Sequence, residues 1–350
     1  MRWVGSGRFS NVYGGSVHTH TMPKHEIVVK KTWPKIKSLE PIEAKILQKV
    51  NRLNHVNIIK LMYTFKREHG ERDCCSMILD YMPASLEDHL AKIEGMDAVE
   101  VKLITWQLFR AQFHIHRMDI LHRDIKPANI LFHPETGLVK LSDFGSPVLN
   151  PTKYPMASRM VTQYYRPPEL LLGAKQYGTD VDVWSCGAVM AELVKGDVFL
   201  YGGNDEKQLD LVLELLGRPT IEDREAMQCS EATFLTTNMP VNRRDSGLAD
   251  FRFMLDDLWK PSGKQPITIF NKIIDKKDVE EAVGILKKVL VFNPSRRLSG
   301  LNFLTDPFFK PIFDQKTLRR GGKPIKCLSL KDLNLVKTGD RTITGSSTTK

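Results

Sequence analysis

The chain has 350 residues, 41% hydrophobic and 26% charged, and carries a net charge of +10. That length is enough to bury one large core or two lobes sharing an interface, and the composition is that of a soluble globular protein. No apolar run approaches the roughly 18 residues of a membrane span, and the start Met1-Arg2-Trp3-Val4-Gly5 lacks the long apolar stretch of a secretory signal, so neither is expected.

The first 80 or so residues read as strands plus one helix. Phe9–Tyr13 and Glu26–Lys30 are short, apolar-rich and separated by turn-prone residues, which predicts strands. Between 39 and 53, Leu39, Ile42, Ile46, Leu47, Val50 and Leu53 recur at intervals of three and four, as on one face of a helix. Asn57–Leu61 and Ser76–Leu79 are expected to be further strands, and Asp80-Tyr81-Met82-Pro83 breaks the pattern as a hinge. Helices follow. Residues 98–117 place Val101, Ile104, Leu108 and Ile115 on one side, and residues 180–195 are apolar on nearly every side, which predicts a buried helix at a domain centre. Residues 279–290 are amphipathic and Pro294 follows; 228–270 has no clear period and is expected to be an irregular insertion; 338–350 is polar, Gly- and Thr-rich, and expected to be disordered. The cysteines Cys74, Cys75, Cys186, Cys229 and Cys327 are odd in number and lack metal spacing, so a reduced protein of the cytoplasm, with the nucleus as a second compartment, is expected. Because the Lys and Arg residues are scattered, the charge reads as a basic surface; acidic or phosphorylated partners are the alternative, and no nucleic acid is expected.

Two short segments carry the chemistry. Residues 122–129 read His-Arg-Asp-Ile-Lys-Pro-Ala-Asn and residues 143–145 read Asp-Phe-Gly. Two acids and an amide at this spacing match loops that hold Mg-ATP and a substrate hydroxyl together. Upstream, Val4-Gly5-Ser6-Gly7-Arg8-Phe9-Ser10-Asn11-Val12 fits a phosphate-covering loop between strands, since glycines let backbone N–H groups approach phosphate oxygens. Ser10 replaces the third glycine of that pattern, and only Met1 to Val4 precede Gly5, so a short first strand or a shortened amino terminus is expected. In Ile27-Val28-Val29-Lys30, strand alternation puts Val28 and Lys30 on one face, able to line a nucleotide pocket, with Lys31 pointing away. Lys30 is the expected phosphate-binding lysine; Lys24, Lys35 and Lys37 are expected in solvent. Glu43 sits on the apolar stripe of the first helix, where a carboxylate needs a cation. A Lys30–Glu43 pair satisfies both groups, with Glu40 the competing acid. His18, His20, His25, His114 and His116 form no metal set.

With these residues the chain resembles the eukaryotic protein kinases over about residues 1–309, and Lys126 two positions after Asp124 resembles the serine/threonine class. It is similar to the group that holds cyclin-dependent, mitogen-activated and glycogen synthase kinases. Glycogen synthase kinase 3 is the closest resemblance, through Leu79-Asp80-Tyr81-Met82-Pro83, Gln107-Leu108-Phe109-Arg110, Asp143-Phe144-Gly145-Ser146 and Leu215-Leu216-Gly217-Arg218-Pro219-Thr220.

The resemblance implies an α+β, bilobal fold: a small antiparallel sheet lobe with one helix (1–79), a hinge (80–83), a larger mainly helical lobe (84–309), an extension packed on it (310–337), and the tail. It implies transfer of the γ-phosphate of ATP, with Mg2+, to Ser/Thr hydroxyls of protein substrates. In it, Asp124 handles the hydroxyl proton, Lys126 neutralises the transferred phosphate, Asn129 and Asp143 hold magnesium, and Thr162 lies near Asp124. Leu79 becomes the gatekeeper, and the backbones of Asp80 and Met82 hold adenine. Tyr165-Arg166-Pro167-Pro168-Glu169 closes the activation loop, with Glu169 paired to Arg297 and Asp182 capping N–H groups of the catalytic loop.

There are departures. Relatives read a priming phosphate with three basic side chains; here those positions are Ile42, Arg123 and Val148, so a requirement for primed substrates is not expected. Arg159 stands where relatives carry an activating tyrosine, leaving Ser158, Thr162 and Tyr164 as modification candidates. The resemblance also allows a regulatory or scaffold protein on the large lobe. A pseudokinase that regulates partners is the alternative reading; the complete set Lys30, Asp124, Asn129 and Asp143 favours catalysis.

Overall fold

The structure, a computed structural model, describes residues 2–7, 10–19, 22–33, 41–69, 72–149, 156–157, 160–229 and 275–338. An antiparallel sheet opens the chain, with β1 (Arg2–Gly7), β2 (Ser10–Thr19), β3 (Met22–Thr32), β4 (Leu61–His69) and β5 (Arg72–Asp80) in the order β1-β2-β3-β5-β4. Along β3, Ile27 and Val29 are buried while Val28 and Lys30 are half-buried, so the two-residue period gives this strand one sealed face and one partly open face. Helix α1 (Ile42–Asn51) turns Ala44, Ile46, Leu47 and Val50 into the core, and Glu43 is carried in with them.

Three expectations need adjusting here. The strand read at Phe9–Tyr13 begins, among the described residues, at Ser10 and continues to Thr19. Helix α1 ends before Leu53, and Leu39 and Glu40 lie outside the described residues. Of Asn57–Leu61 only Leu61 is in a strand, as the first residue of β4; in 57–60, Ile58 and Ile59 are both buried, whereas neighbours in a strand face opposite ways. This segment instead bridges to the large lobe, with the Leu141 N–H donating to the Asn57 carbonyl at 2.8 Å and the Ile59 N–H to the Leu141 carbonyl at 2.9 Å. The Asn57 amide is buried and donates to Gln107 Oε1 and the Val139 carbonyl, each at 2.9 Å.

After the hinge come β6 (Ala84–Ser85), α2 (Leu86–Leu90), α3 (Ala98–His116), β7 (Ile120–Leu121), β8 (Ile130–His133), β9 (Leu138–Leu141), β10 (Val148–Leu149), α4 (Pro168–Leu171), α5 (Asp180–Lys195), α6 (Asp205–Leu216) and α7 (Ile221–Ala226). Helices α3 and α5 are buried along nearly their whole length and pack together at the centre. Helix α5 stops where Gly196 takes a left-handed φ of 86°, open to glycine at no steric cost. One continuous core runs from α1 through α3 and α5 to helix Lys276–Val289.

Beyond 310, Arg319 donates to Glu100 at 2.9 Å and to the carbonyls of Pro134 and Glu135. Arg110 pairs with Asp332 of helix Leu330–Thr338 at 2.8 Å. Thr338, assigned to the tail from sequence, ends that helix because the turn continues through its hydroxyl bond to the Asn334 carbonyl. Residues 339–350 and 230–270 lie outside the described residues. No helix of the described residues is long and apolar enough to cross a membrane.

Candidate active site

The segment after β7 is held by one buried acid. Asp182, in the first turn of α5, accepts the N–H of His122 at 2.7 Å and of Arg123 at 3.0 Å. This grip fixes Arg123 at φ 68°, a left-handed backbone that costs a Cβ-bearing residue about 1 kcal/mol. His122 reaches the Ser142 carbonyl through Nε2 at 2.9 Å and stands edge-on to Phe144, with ring centres 4.9 Å apart. The two motifs, apart in sequence, are thereby joined.

Asp124 is surrounded by donors. Its Oδ1 accepts the Thr162 hydroxyl at 2.6 Å, and its Oδ2 accepts Asn129 Nδ2 at 2.8 Å and pairs with Lys126 Nζ at 3.0 Å. Lys126 also donates to Thr162 Oγ1 at 3.1 Å, and Asn129 is oriented by a second bond to the Asp124 carbonyl at 2.7 Å. With both its oxygens accepting, the carboxylate has a fixed direction.

On the sheet side, Lys30 Nζ lies 2.8 Å from Glu43 Oε1 and 2.8 Å from Asp143 Oδ1. Burial acts against the charge on Lys30, but the two carboxylates outweigh it and hold its pKa above the ordinary value. Burial likewise acts against ionised Asp143, and Lys30 outweighs it, holding that carboxyl below the ordinary range. Asp143 is itself left-handed at φ 58°, and its side chain is 45% exposed. Asp143 Oδ2 and Asn129 Oδ1 make no bond to the described residues and remain open as oxygen ligands. Among the described residues no group of three or more His, Cys, Asp or Glu forms a closed metal cage. Two open protein oxygens suit Mg2+, which keeps most of its shell for phosphate and water.

In the glycine segment β1 pairs antiparallel with β2, Gly5 facing Val12 and Gly7 facing Ser10; Arg8 and Phe9 lie outside the described residues. A Cβ on Gly5 would meet nothing within 4 Å, so space alone does not demand a glycine there. Ser6 and Val4 are exposed on β1. At the hinge end of the sheet, Val28 pairs with Leu79 and Ile27 with Asp80, and Met82 is buried just beyond. Lys31 lies over the Tyr13 ring, away from Glu43.

Arg297 forms a two-pronged pair with Glu169 at 2.7 and 2.6 Å, and its guanidinium also holds the carbonyls of Asp180, Val291 and Phe292. Ile42 is exposed, Val148 is half-buried in β10, and the Arg123 side chain donates to the Ser146 carbonyl at 2.6 Å. Tyr164 stacks on Tyr201 with ring centres 4.7 Å apart; Ser158 and Arg159 lie outside the described residues.

Sequence reasoning missed Glu192. It accepts the Tyr165 hydroxyl at 2.7 Å and ties the segment after Thr162 to α5. A carboxylate inside an otherwise apolar helix is the signal that would have found it. Burial, with Asp197 and Glu87 nearby, pushes its pKa up to about 7 from 4.5. The folded protein therefore keeps a proton that the unfolded chain releases first, and this group's contribution to stability is lost as pH rises from 4.5 to about 7. Glu192→Gln keeps the acceptor and removes the titration. Relative to their difference at low pH, the variant should gain on the order of 3 kcal/mol over wild type by pH 7.5. Urea midpoints at several pH values check this, and a pH-independent difference would refute it.

Against known sequences, the protein kinase domain matches residues 1–309. A protein of Pyricularia oryzae named "Glycogen synthase kinase 1" is 31% identical over 318 residues, covering 90% of this chain and 73% of that relative. The sheet with its single helix, the helical second half and the ring of donors around Asp124 agree with that match: the chain belongs to the protein kinase family and is similar to its glycogen synthase kinases.

Proposed function

We propose that this kinase transfers the γ-phosphate of ATP, with Mg2+, to serine and threonine hydroxyls of protein substrates. The observation that carries the reading is Asp124, aimed by Thr162, Asn129 and Lys126 at distances of 2.6, 2.8 and 3.0 Å. An incoming hydroxyl would replace Thr162 or share its oxygen, and Asp124 would orient it and take its proton. Lys126, beside the same oxygen, would balance charge on the phosphoryl group. Lys30, held charged by Glu43, would bind phosphate oxygens, and the backbones of Asp80 and Met82 would hold adenine. Asp143 and Asn129 would hold Mg2+, which when bound neutralises charge on the phosphates. Lys126, two positions after Asp124, supports the Ser/Thr class, and the likeness to a protein named as a glycogen synthase kinase agrees with a kinase.

The test is transfer of labelled phosphate from Mg-ATP to a mixed set of Ser, Thr and Tyr peptides. Label on Ser and Thr alone is the expected result. No transfer with nucleotide binding intact would point to a protein that regulates partners without catalysis.

Substrate choice should differ from that of the relatives. Two of the three priming positions carry Ile42 and Val148, and the third, Arg123, is engaged by Ser146. Each missing charge-assisted contact removes about 1.5 kcal/mol or more of phosphate binding. The kcat/KM ratio of a primed peptide to its unprimed copy should lie within roughly threefold of one, and a ratio near a hundred would show that the phosphate is still read.

A further inference from the structure

Asp80, the first hinge residue, does more with its side chain than offer a backbone. Its Oδ1 accepts the Lys60 N–H at 2.8 Å, and its own N–H donates to the Lys60 carbonyl at 3.1 Å. Its Oδ2 pairs with Lys140 Nζ at 2.9 Å, the two side chains being 20% and 12% exposed. Lys140 also reaches the Ile58 carbonyl at 3.5 Å.

The placement of these two residues matters more than the pair itself. Asp80 pairs in the sheet with Ile27 of β3, the strand that carries Lys30. Lys140 lies in β9, which runs directly through Leu141 and Ser142 into Asp143. Leu141 is stitched to Asn57 and Ile59, and Ser142 donates to the Asn129 carbonyl from both its N–H and its hydroxyl, at 2.9 and 2.8 Å. The ion pair therefore joins the strand system of the phosphate lysine to the strand that presents the metal-side carboxylate. It crosses between the lobes at the first residue of the hinge.

We infer that the Asp80–Lys140 pair is a positioning clamp that sets the hinge against β9, so that adenine and the phosphates are held in register with Asp143. It rests on the nucleotide reading above for what it positions. The alternative, a bystander surface pair, would contribute little to anything. A clamp acts on nucleotide use and leaves peptide recognition alone, because neither residue lies in the Thr162–Glu169 segment.

The experiment is a double-mutant cycle with Asp80→Asn, Lys140→Met, the double variant, and Lys140→Arg. Asn keeps the Oδ1 acceptor for the Lys60 N–H and replaces the charged oxygen facing Lys140 by an N–H donor, which cannot pair with an ammonium. Each single variant should raise KM for ATP by roughly tenfold, with peptide KM within about twofold, and the double variant should be no worse than either single. Lys140→Arg should restore most of the loss. Unchanged KM for ATP in Lys140→Met, or losses that simply multiply in the double variant, would overturn the clamp. If wild type transfers no phosphate, the kinase reading fails on its own. The clamp is then judged by amide hydrogen exchange at 78–82 and 139–143, which needs no catalysis: faster exchange in Lys140→Met supports it, and unchanged exchange refutes it.

Discussion

Asp143→Asn is expected to cut phosphoryl transfer by about a thousandfold while leaving the protein folded. The change is nearly isosteric and removes one charge. A metal bound to a neutral amide loses several kcal/mol of the electrostatic stabilisation that phosphoryl transfer depends on, and each 1.36 kcal/mol is about tenfold in rate. The fold should tolerate it for two reasons. The Asp143 side chain is 45% exposed and Lys30 keeps its second partner, Glu43, at 2.8 Å. Asn also accepts the left-handed backbone that φ 58° imposes here. Initial rates with labelled ATP, beside a thermal melt, check both halves. A variant with a tenth of wild-type activity would remove Asp143 from the role given to it.

Arg297→Met should act oppositely, striking stability before chemistry. The Arg297 and Glu169 side chains are 0% and 2% exposed and bonded at two points. Removing one partner strands a buried carboxylate, which costs about 3–5 kcal/mol. The melting point should fall by about 5 °C. Lysine should not rescue it, because a point charge cannot reproduce two parallel bonds and the stacking of the guanidinium over Trp184. Adding Glu169→Gln to Arg297→Met should recover part of the loss, which a cycle of melts would show.

Much of this was legible in the sequence, and the reasons differ by element. Residues 180–195 were read with the observed limits because the run is apolar on nearly every side. The Lys30–Glu43 pairing was legible because strand alternation and helix periodicity each leave one charged residue facing inward. Asn57–Leu61 was misread because two adjacent isoleucines resemble a strand, whereas the segment is organised by distant partners, Gln107, Val139 and Leu141. Strand β4 escaped notice because it is an edge strand with Met62 and Tyr63 exposed, so its burial pattern is weak. Helices α2, α6 and α7 carried readable starts in Ser85, Asn204 and Thr220, each of which caps a backbone N–H. The Asp80–Lys140 pair had no local signal, since its partners meet only after the lobes are assembled.

The left-handed backbones of Arg123 and Asp143 bear on how this protein can adapt to heat. Glycine at either position would relieve the left-handed strain, at the cost of added freedom in the unfolded chain. It would also delete the carboxylate that pairs with Lys30 or the side chain that holds Ser146. Stabilisation that keeps both side chains must therefore come from elsewhere, for example from exposed apolar positions such as Ile221 or Leu330, where the backbone is not left-handed.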